Sequence, residues 1–471
     1  MSLIRSLLLV LVGVLVGQVH AANEEPKAKS QAPEVEPFRP EAGKFPPLEK
    51  AYSYRGELVF VDHANRRGSL RVQGAGTYFR NAPHPFAMLP YGIVRYHGAP
   101  ADLRDIPLGT VLHVKAYLPP DPKISAVPVL PIDNKEKTAG YSGAGIAPAE
   151  NHVLLLEDEP SHCLRESLIW KLMELDLKNN EGMITAIREP KEGARGEKPT
   201  EEKLTLDAAT RIWRGRECLT PADLVAEGTW PASGKKSLNA QAVQLGITWK
   251  PTPDGIFTRF HISDIWLDDT AMERASLVQT ETHKAFIRSR WMPAWVDNVE
   301  YGKFGRATLT ATLFGGMDPT LYADFKAGIA ALMNSAENTL KHTEGGTAGP
   351  TQMAARGKLI EVRGNLFLPQ IGFACLGDSA QGSPQIKSDK KSAGLPESVG
   401  NQNSVNPPLG SSGIQIRFET DLITEGMRPT RIVKVRPATW PDVHLPREEY
   451  LGNGASSIDE RFPTPAIFPN Y

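Results

Sequence analysis

Two stretches of this chain, residues 56–118 and 182–247, share one order of short strands and glycine turns, and that order leaves few folds open. Each begins with a glycine and an apolar run, Gly56-Glu57-Leu58-Val59-Phe60-Val61 in the first and Gly182-Met183-Ile184-Thr185-Ala186-Ile187 in the second. The next segments alternate, Ser69-Leu70-Arg71-Val72 against Lys203-Leu204-Thr205-Leu206. Alternation marks a strand with one buried face, because successive side chains point to opposite sides. Aromatic-bearing segments follow, Val94-Arg95-Tyr96-His97-Gly98 and Arg211-Ile212-Trp213-Arg214-Gly215, each ending in a glycine able to turn the chain. Both stretches close through an Asp-Leu pair and a glycine, Asp102-Leu103 to Gly109-Thr110-Val111 and Asp223-Leu224 to Gly228-Thr229-Trp230. Short strands with this punctuation predict small closed barrels, since closure removes the strand edges that would otherwise pair with other chains.

The underlying pattern, Gly-x-Ile/Val, then Leu-x-Val, then Asp-Leu-x-x-Gly-x-x-Val, resembles that of the OB-like small-barrel modules of uncharacterised secreted bacterial proteins. The resemblance implies tandem OB-like barrels in a mainly β chain. Those modules have no assigned activity, so it implies no catalytic residue.

Residues 1–21 read as a signal peptide. Arg5 supplies a positive start, residues 7–16 a short apolar run, and Val19-His20-Ala21 a small-x-small cleavage site. The run is shorter than the roughly 20 residues a spanning helix needs, and no later stretch is long and apolar enough to span a bilayer. Export to a periplasm or the exterior is the expectation, with cleavage after Ala21.

Residues 22–50, rich in Pro, Glu, Lys and Ala, are expected to form a disordered tether. The first barrel unit occupies 51–160 and the second 161–267. A helix fills 268–293, predicted from a Thr270-x-x-Glu273 capping box and apolar positions Ala271, Ala275, Val278 and Ala285 at helical spacing, with a stop at Pro293. It should pack on the second or third unit. A short helix capped by Ser161 precedes it. The third β unit takes 294–377 plus 413–437, in which 325–328 echoes the Asp-Leu…Gly closure and suggests a diverged third copy. Residues 378–412 read as a disordered insertion and 438–471 as an extended, Pro-rich tail.

Candidates for chemistry are few. No phosphate loop, Gly-x-Ser-x-Gly elbow or His-Glu-x-x-His motif occurs, and no cofactor or metal is expected. The histidines are scattered singly and read as surface or packing residues. Cys163, Cys218 and Cys375 are odd in number and lack Cys-x-x-Cys spacing, so buried apolar cysteines are the expectation. One acidic cluster, His261, Asp264, Asp268 and Asp269, lies where a strand meets the long helix, and helix capping is its simplest reading. Gly315-Gly316-Met317-Asp318-Pro319 reads as a hairpin turn.

Two function classes follow. The favoured one is an exported, non-catalytic binding or scaffold protein of the bacterial envelope, meeting another envelope protein or a glycan. Its stacking face would draw on Tyr78, Phe79, Phe86, Tyr91 and Tyr96. The alternative is a secreted hydrolase with a carboxylate site at Asp264, Asp268 and Asp269. A formal net charge of −1 and the lack of a basic stripe argue against nucleic acid.

Overall fold

A computed structural model of the chain describes residues 38–41, 45–63, 66–72, 83–117, 151–178, 181–191, 198–252, 258–335, 354–367, 409–423 and 426–441. The signal sequence, Tyr78, Phe79, Cys375, most of the 378–412 insertion and residues 442–471 lie outside the described residues.

The fold is mainly β and contains three closed barrels. The first is built from β1 (Tyr52–Asp62), β2 (Arg67–Val72), β3 (His84–Tyr96), β5 (Val111–Tyr117) and β6 (Asn151–Asp158), with β4 (Ala99–Ala101) forming a short hairpin on the end of β3. Going round it, β1 pairs with β2, β2 with β3, β3 with β6, β6 with β5, and β5 with β1; only the β3–β6 pair is parallel. Order 1-2-3-5-4-1 with third and fifth strands parallel is the OB arrangement. Leu58, Leu70, Val72, Phe86, Met88, Leu112, Val114 and Val153 fill it. Each such side chain stabilises by about 1.5–3 kcal/mol on burial, and a one-residue slip would turn that whole set outward.

The second barrel repeats the order with β7 (Leu168–Lys178), β8 (Glu181–Pro190), β9 (Thr200–Leu206), β12 (Ser233–Pro251) and β13 (Thr258–Trp266). Its third strand is broken in two, β9 and β10 (Arg211–Arg214), both parallel to β13, and β11 (Glu217–Leu219) makes the hairpin. The two OB-like barrels therefore share one topology, but the repeat read from sequence is out by one strand in its first half. Residues 56–61 lie on the first strand of their barrel, whereas 182–187 lie on the second strand of theirs. Neighbouring half-buried strands carry the same period-two pattern, so alternation alone does not tell which strand is which. From Val94 and Arg211 onward the alignment is topologically correct.

The third barrel is closed from β14 (Met292–Tyr301), β15 (Ala307–Phe314), β16 (Ala330–Ser335), β17 (Ala355–Arg363), β18 (Ser411–Thr420) and β19 (Ile432–Pro437). Every pairing is antiparallel and the order is β14-β15-β18-β17-β16-β19. Six strands in that order are not a third copy of the OB arrangement. The expected hairpin at 315–319 is instead a junction: Gly315 N donates to Gly410 O (2.8 Å), and Asp318 caps the short helix Pro319–Ala323.

The long helix runs Asp269–Arg290 and is capped by Asp268, whose side chain accepts from Ala271 N; Thr270 is exposed. It touches all three barrels in turn. Met272 packs with Trp266 and Trp213 of the second, Gln279 Nε2 donates to Pro100 O (3.3 Å) and Asp105 Oδ2 (3.1 Å) of the first, and Ile287 enters the core of the third. The first barrel, left out of the expectation, supplies the polar contacts midway along it. The end of the expected tether is likewise packed: Phe38, Phe45 and Leu48 cover an apolar junction of Tyr91, Tyr117, Trp295 and Phe314 between the first and third barrels. Phe38 meets Tyr117 at 5.6 Å and Phe45 meets Tyr91 at 4.8 Å, which offsets the entropy of ordering that segment. From the expected tail, Trp440 packs on Phe325 and donates to Asp324 Oδ2 (2.7 Å).

Candidate functional site

The acidic cluster is divided by the fold. His261 is buried on β13 with Nδ1 3.0 Å from Thr205 Oγ1 and Nε2 3.5 Å from Asp207. Burial, with Lys250 beside it, pushes its pKa down to about 4. Asp264 instead accepts from Arg211 Nη2 and Trp213 Nε1, both at 2.8 Å. Asp268 Oδ1 accepts from Ala271 N (2.8 Å), capping the long helix, and its Oδ2 accepts from Gly215 N (2.8 Å) at the β10–β11 turn. Asp269 is exposed in the first helical turn. Both oxygens of Asp264 and of Asp268 thus hold structural donors, and the set does not converge on one point.

The aromatic set is divided too. Phe86 is buried in the first core and Tyr91 in the junction with the third barrel. Tyr96 is half-buried and stacks on His97 with centroids 3.8 Å apart. No shared stacking face arises from these three, because each was apolar enough to be drawn into packing; Tyr78 and Phe79 lie outside the described residues.

A dense concentration of ionisable groups falls at Glu157-Asp158-Glu159-Pro160, where β6 passes into the short helix. Asp158 caps the short helix Glu159–Arg165 by accepting from Ser161 N (3.0 Å), so the cap is Asp158 and not Ser161. Its other oxygen accepts from His97 N (2.8 Å) at the β3–β4 turn. This is the same latch as Asp268 on Gly215: an aspartate ending the fifth strand holds both the next helix and the third-strand hairpin. Burial pushes Asp158 up to about 7.

Glu159 is fully buried between the first two barrels. Its Oε2 accepts from Arg55 Nη2 (2.9 Å) and His113 Nε2 (2.7 Å), and its Oε1 from Arg188 Nη1 (2.9 Å) and Trp170 Nε1 (3.1 Å). Burial acts to raise its pKa, but Arg55, His113 and Arg188 outweigh it and hold the carboxyl well below the usual range. An ionised carboxylate only accepts, so His113 carries its proton on Nε2. Arg55 also reaches Glu202 of β9 (2.9 Å), and His113 stacks on His162 at 3.7 Å. Glu157 is held by Arg165 Nε (2.9 Å to each oxygen). The Cys163 thiol lies 3.6 Å from Glu159; burial and that carboxylate push its pKa well up, which disfavours the thiolate a nucleophile needs. Cys218, expected to be buried, is exposed, and both are free thiols. The one sequence signal for this node was Asp158 followed by Pro160 and Ser161, a helix-start pattern.

This arrangement joins the first two barrels through one buried carboxylate. Among the described residues no group of His, Cys, Asp and Glu has the grouping needed to hold a metal, and no helix is long and apolar enough to cross a membrane. Comparison of the chain with family models, with curated proteins and with solved structures found no match.

Proposed function

We propose that this chain is an exported, non-catalytic binding or scaffold protein of the bacterial envelope, built on tandem OB-like barrels and meeting an envelope protein or a glycan. One observation carries the reading: the carboxylates best placed for chemistry, Asp158, Glu159, Asp264 and Asp268, each accept structural hydrogen bonds on both oxygens. A general acid or base needs an oxygen within reach of a substrate proton, and a nucleophile needs an activating base. A binding role asks only for exposed recognition groups. Tyr301 (74% exposed) and Phe304 (97% exposed) offer these at the β14–β15 turn, where Phe304 takes a left-handed φ of 60° and projects into solvent.

Purified chain should turn over no glycan, ester or phosphoester substrate, whereas turnover lost in Asp264→Asn or Asp268→Asn would replace this reading with the hydrolase. Mass spectrometry of protein from its own cells should begin at Ala22. Retention of residues 1–21 on a cytosolic protein would end the envelope assignment.

A further inference from the structure

An aromatic groove lies between the first and third barrels, and the chain's own N-terminal strap fills it. Leu89, Tyr91, Tyr117 and Leu154 of the first barrel and Trp295 and Phe314 of the third line the groove. Phe38 meets Tyr117 edge-on at 5.6 Å and Phe45 meets Tyr91 edge-on at 4.8 Å, while Pro40 and Pro46 are buried. Tyr91 in turn meets Phe314 edge-on at 5.9 Å, so a single ring links the strap to the third barrel. A Cβ at Gly410, whose φ is 103°, would stand 2.7 Å from the Tyr91 ring and 3.1 Å from that of Phe45, so the close approach there requires glycine.

What the groove selects can be read from its occupant. Pro47 has φ −73° and ψ 133°, the polyproline II conformation, and Tyr117 Oη donates to its carbonyl (2.8 Å). Proline-rich segments are recognised by aromatic-lined grooves in this way, and their stiff extended shape leaves little entropy to lose on docking. The groove therefore asks for phenylalanine rings to set against Tyr91 and Tyr117, with proline fixing the backbone beside them. The Phe-Pro dipeptide occurs three times in the chain: Phe45-Pro46 sits in the groove, and Phe462-Pro463 and Phe468-Pro469 fall in the C-terminal segment outside the described residues. Lys44 precedes Phe45 as Arg461 precedes Phe462; Phe38 and Phe45 stand seven positions apart, Phe462 and Phe468 six. Ile432 packs against the groove and Trp440 is held in the third barrel, so the C-terminal segment departs from the barrel that forms one wall. Residues 442–460 reach up to about 60 Å when extended, ample to return to the groove.

We infer that this groove is a docking site for Phe-Pro segments, and that its second occupant is the chain's own C-terminal segment, residues 461–469, in exchange with the N-terminal strap. Both occupants are tethered to the molecule that bears the groove, so each competes at a high effective concentration. Docking of the C-terminal segment frees the strap for contact elsewhere. The inference is independent of export and of whether the chain is an enzyme.

Full-length chain carrying the photo-cross-linker benzoylphenylalanine in place of Phe468 tests this. After irradiation, mass spectrometry should find it attached to Leu89, Tyr91, Trp295 or Met317, about fivefold more often in Phe45→Ala than with Phe45 intact, because the variant weakens the competing strap. No attachment in the groove, or a yield that Phe45→Ala leaves unchanged, overturns the proposal. Mixing isotope-labelled and unlabelled copies separates the sources: links within one copy are expected, and links only between copies would assign the groove to a second copy and overturn it. Should Phe45→Ala fail to fold, the unaltered chain is titrated with a synthetic peptide of residues 459–471. Hydrogen exchange at Lys50 and Ala51, whose amides close the turn of the strap on Pro47 O and Leu48 O, should then speed up several-fold. The same peptide with Phe462→Ala and Phe468→Ala should have no effect. Exchange unchanged by the first peptide, or raised equally by both, overturns the proposal.

Discussion

The first and second barrels share a strand order and an aspartate latch, yet they use the latch differently. In the second, Asp268 holds a turn at Gly215, a glycine with φ of 57° and open space where a side chain would be. In the first, Asp158 holds a turn at His97, which takes φ of 52° with a full side chain. A left-handed non-glycine residue costs roughly 1–2 kcal/mol. Here the ring recovers that cost between Tyr96, stacked at 3.8 Å, and Trp266 of the second barrel, edge-on at 5.1 Å. Ser276 of the long helix donates to His97 O. One backbone device is thus a simple cap in the second barrel and an inter-barrel joint in the first.

Acid should separate the two barrels most. His97 and His152 are held down to about 4 and His113 to about 3, mainly by burial, whereas the second barrel contributes only His261, at about 4. A histidine with a depressed folded pKa stays neutral in the fold while the unfolded chain takes up a proton. Stability is therefore intact above about 6.5 and falls as the pH drops toward 4. Asp158 runs the other way: raised to about 7, it favours the fold on the acid side, and that contribution is lost as the pH rises through 7. Three histidines outweigh one aspartate, since a folded pKa that differs by one from its unfolded value is worth about 1.4 kcal/mol. Hydrogen exchange at pH 5 against pH 7, corrected for intrinsic rates, should show β3, β5 and β6 losing protection before β7 and β8. Equal loss in both barrels would mean that the buried histidines do not distinguish them.

Next in size is Glu159→Gln. It leaves Arg55 and Arg188, about a tenth exposed, without their shared carboxylate and should cost about 3–5 kcal/mol in urea unfolding. Asp264→Asn, facing a half-exposed Arg211, should cost only about 1 kcal/mol. A similar loss from both would erase the distinction between a buried inter-barrel joint and a half-exposed pair within one barrel. Asp158→Ala should cost about 3 kcal/mol and Asp268→Ala about 1 kcal/mol, because Asp158 and its bond to Ser161 N are buried whereas Asp268 is half-buried. The smallest contrast lies in the turns. Gly98→Ala places a methyl 2.5 Å from Leu164 Cδ1 at φ of 74° and should cost about 2 kcal/mol, while Gly215→Ala meets open space and should cost about 1 kcal/mol of backbone strain alone.

Much of the scaffold was legible along the chain. Alternation at Ser69-Leu70-Arg71-Val72, the glycine turns and the long helical spacing after residue 268 led to OB-like barrels and one long helix. Local readings failed where two residues compete for one role. Thr270 and Ser161 looked like caps, but Asp268 and Asp158 stood nearer the last strand residue and reach a hairpin turn as well. The Glu159 node was invisible because its donors Arg55, His113, Trp170 and Arg188 come from four strands, and no spacing links them.

What the sequence determined by itself is what depends on neighbours along the chain: strand periodicity, the glycines at Gly98 and Gly215, and the helix after Asp268. Only tertiary structure decided that β3 runs parallel to β6, that six strands close the third barrel in a different order, and that Tyr91 is core while Phe304 is exposed. The reason is physical. A period of two specifies that one face is buried but not against what, and the charge state of Glu159 or His113 is set by groups that become neighbours only once the barrels have closed.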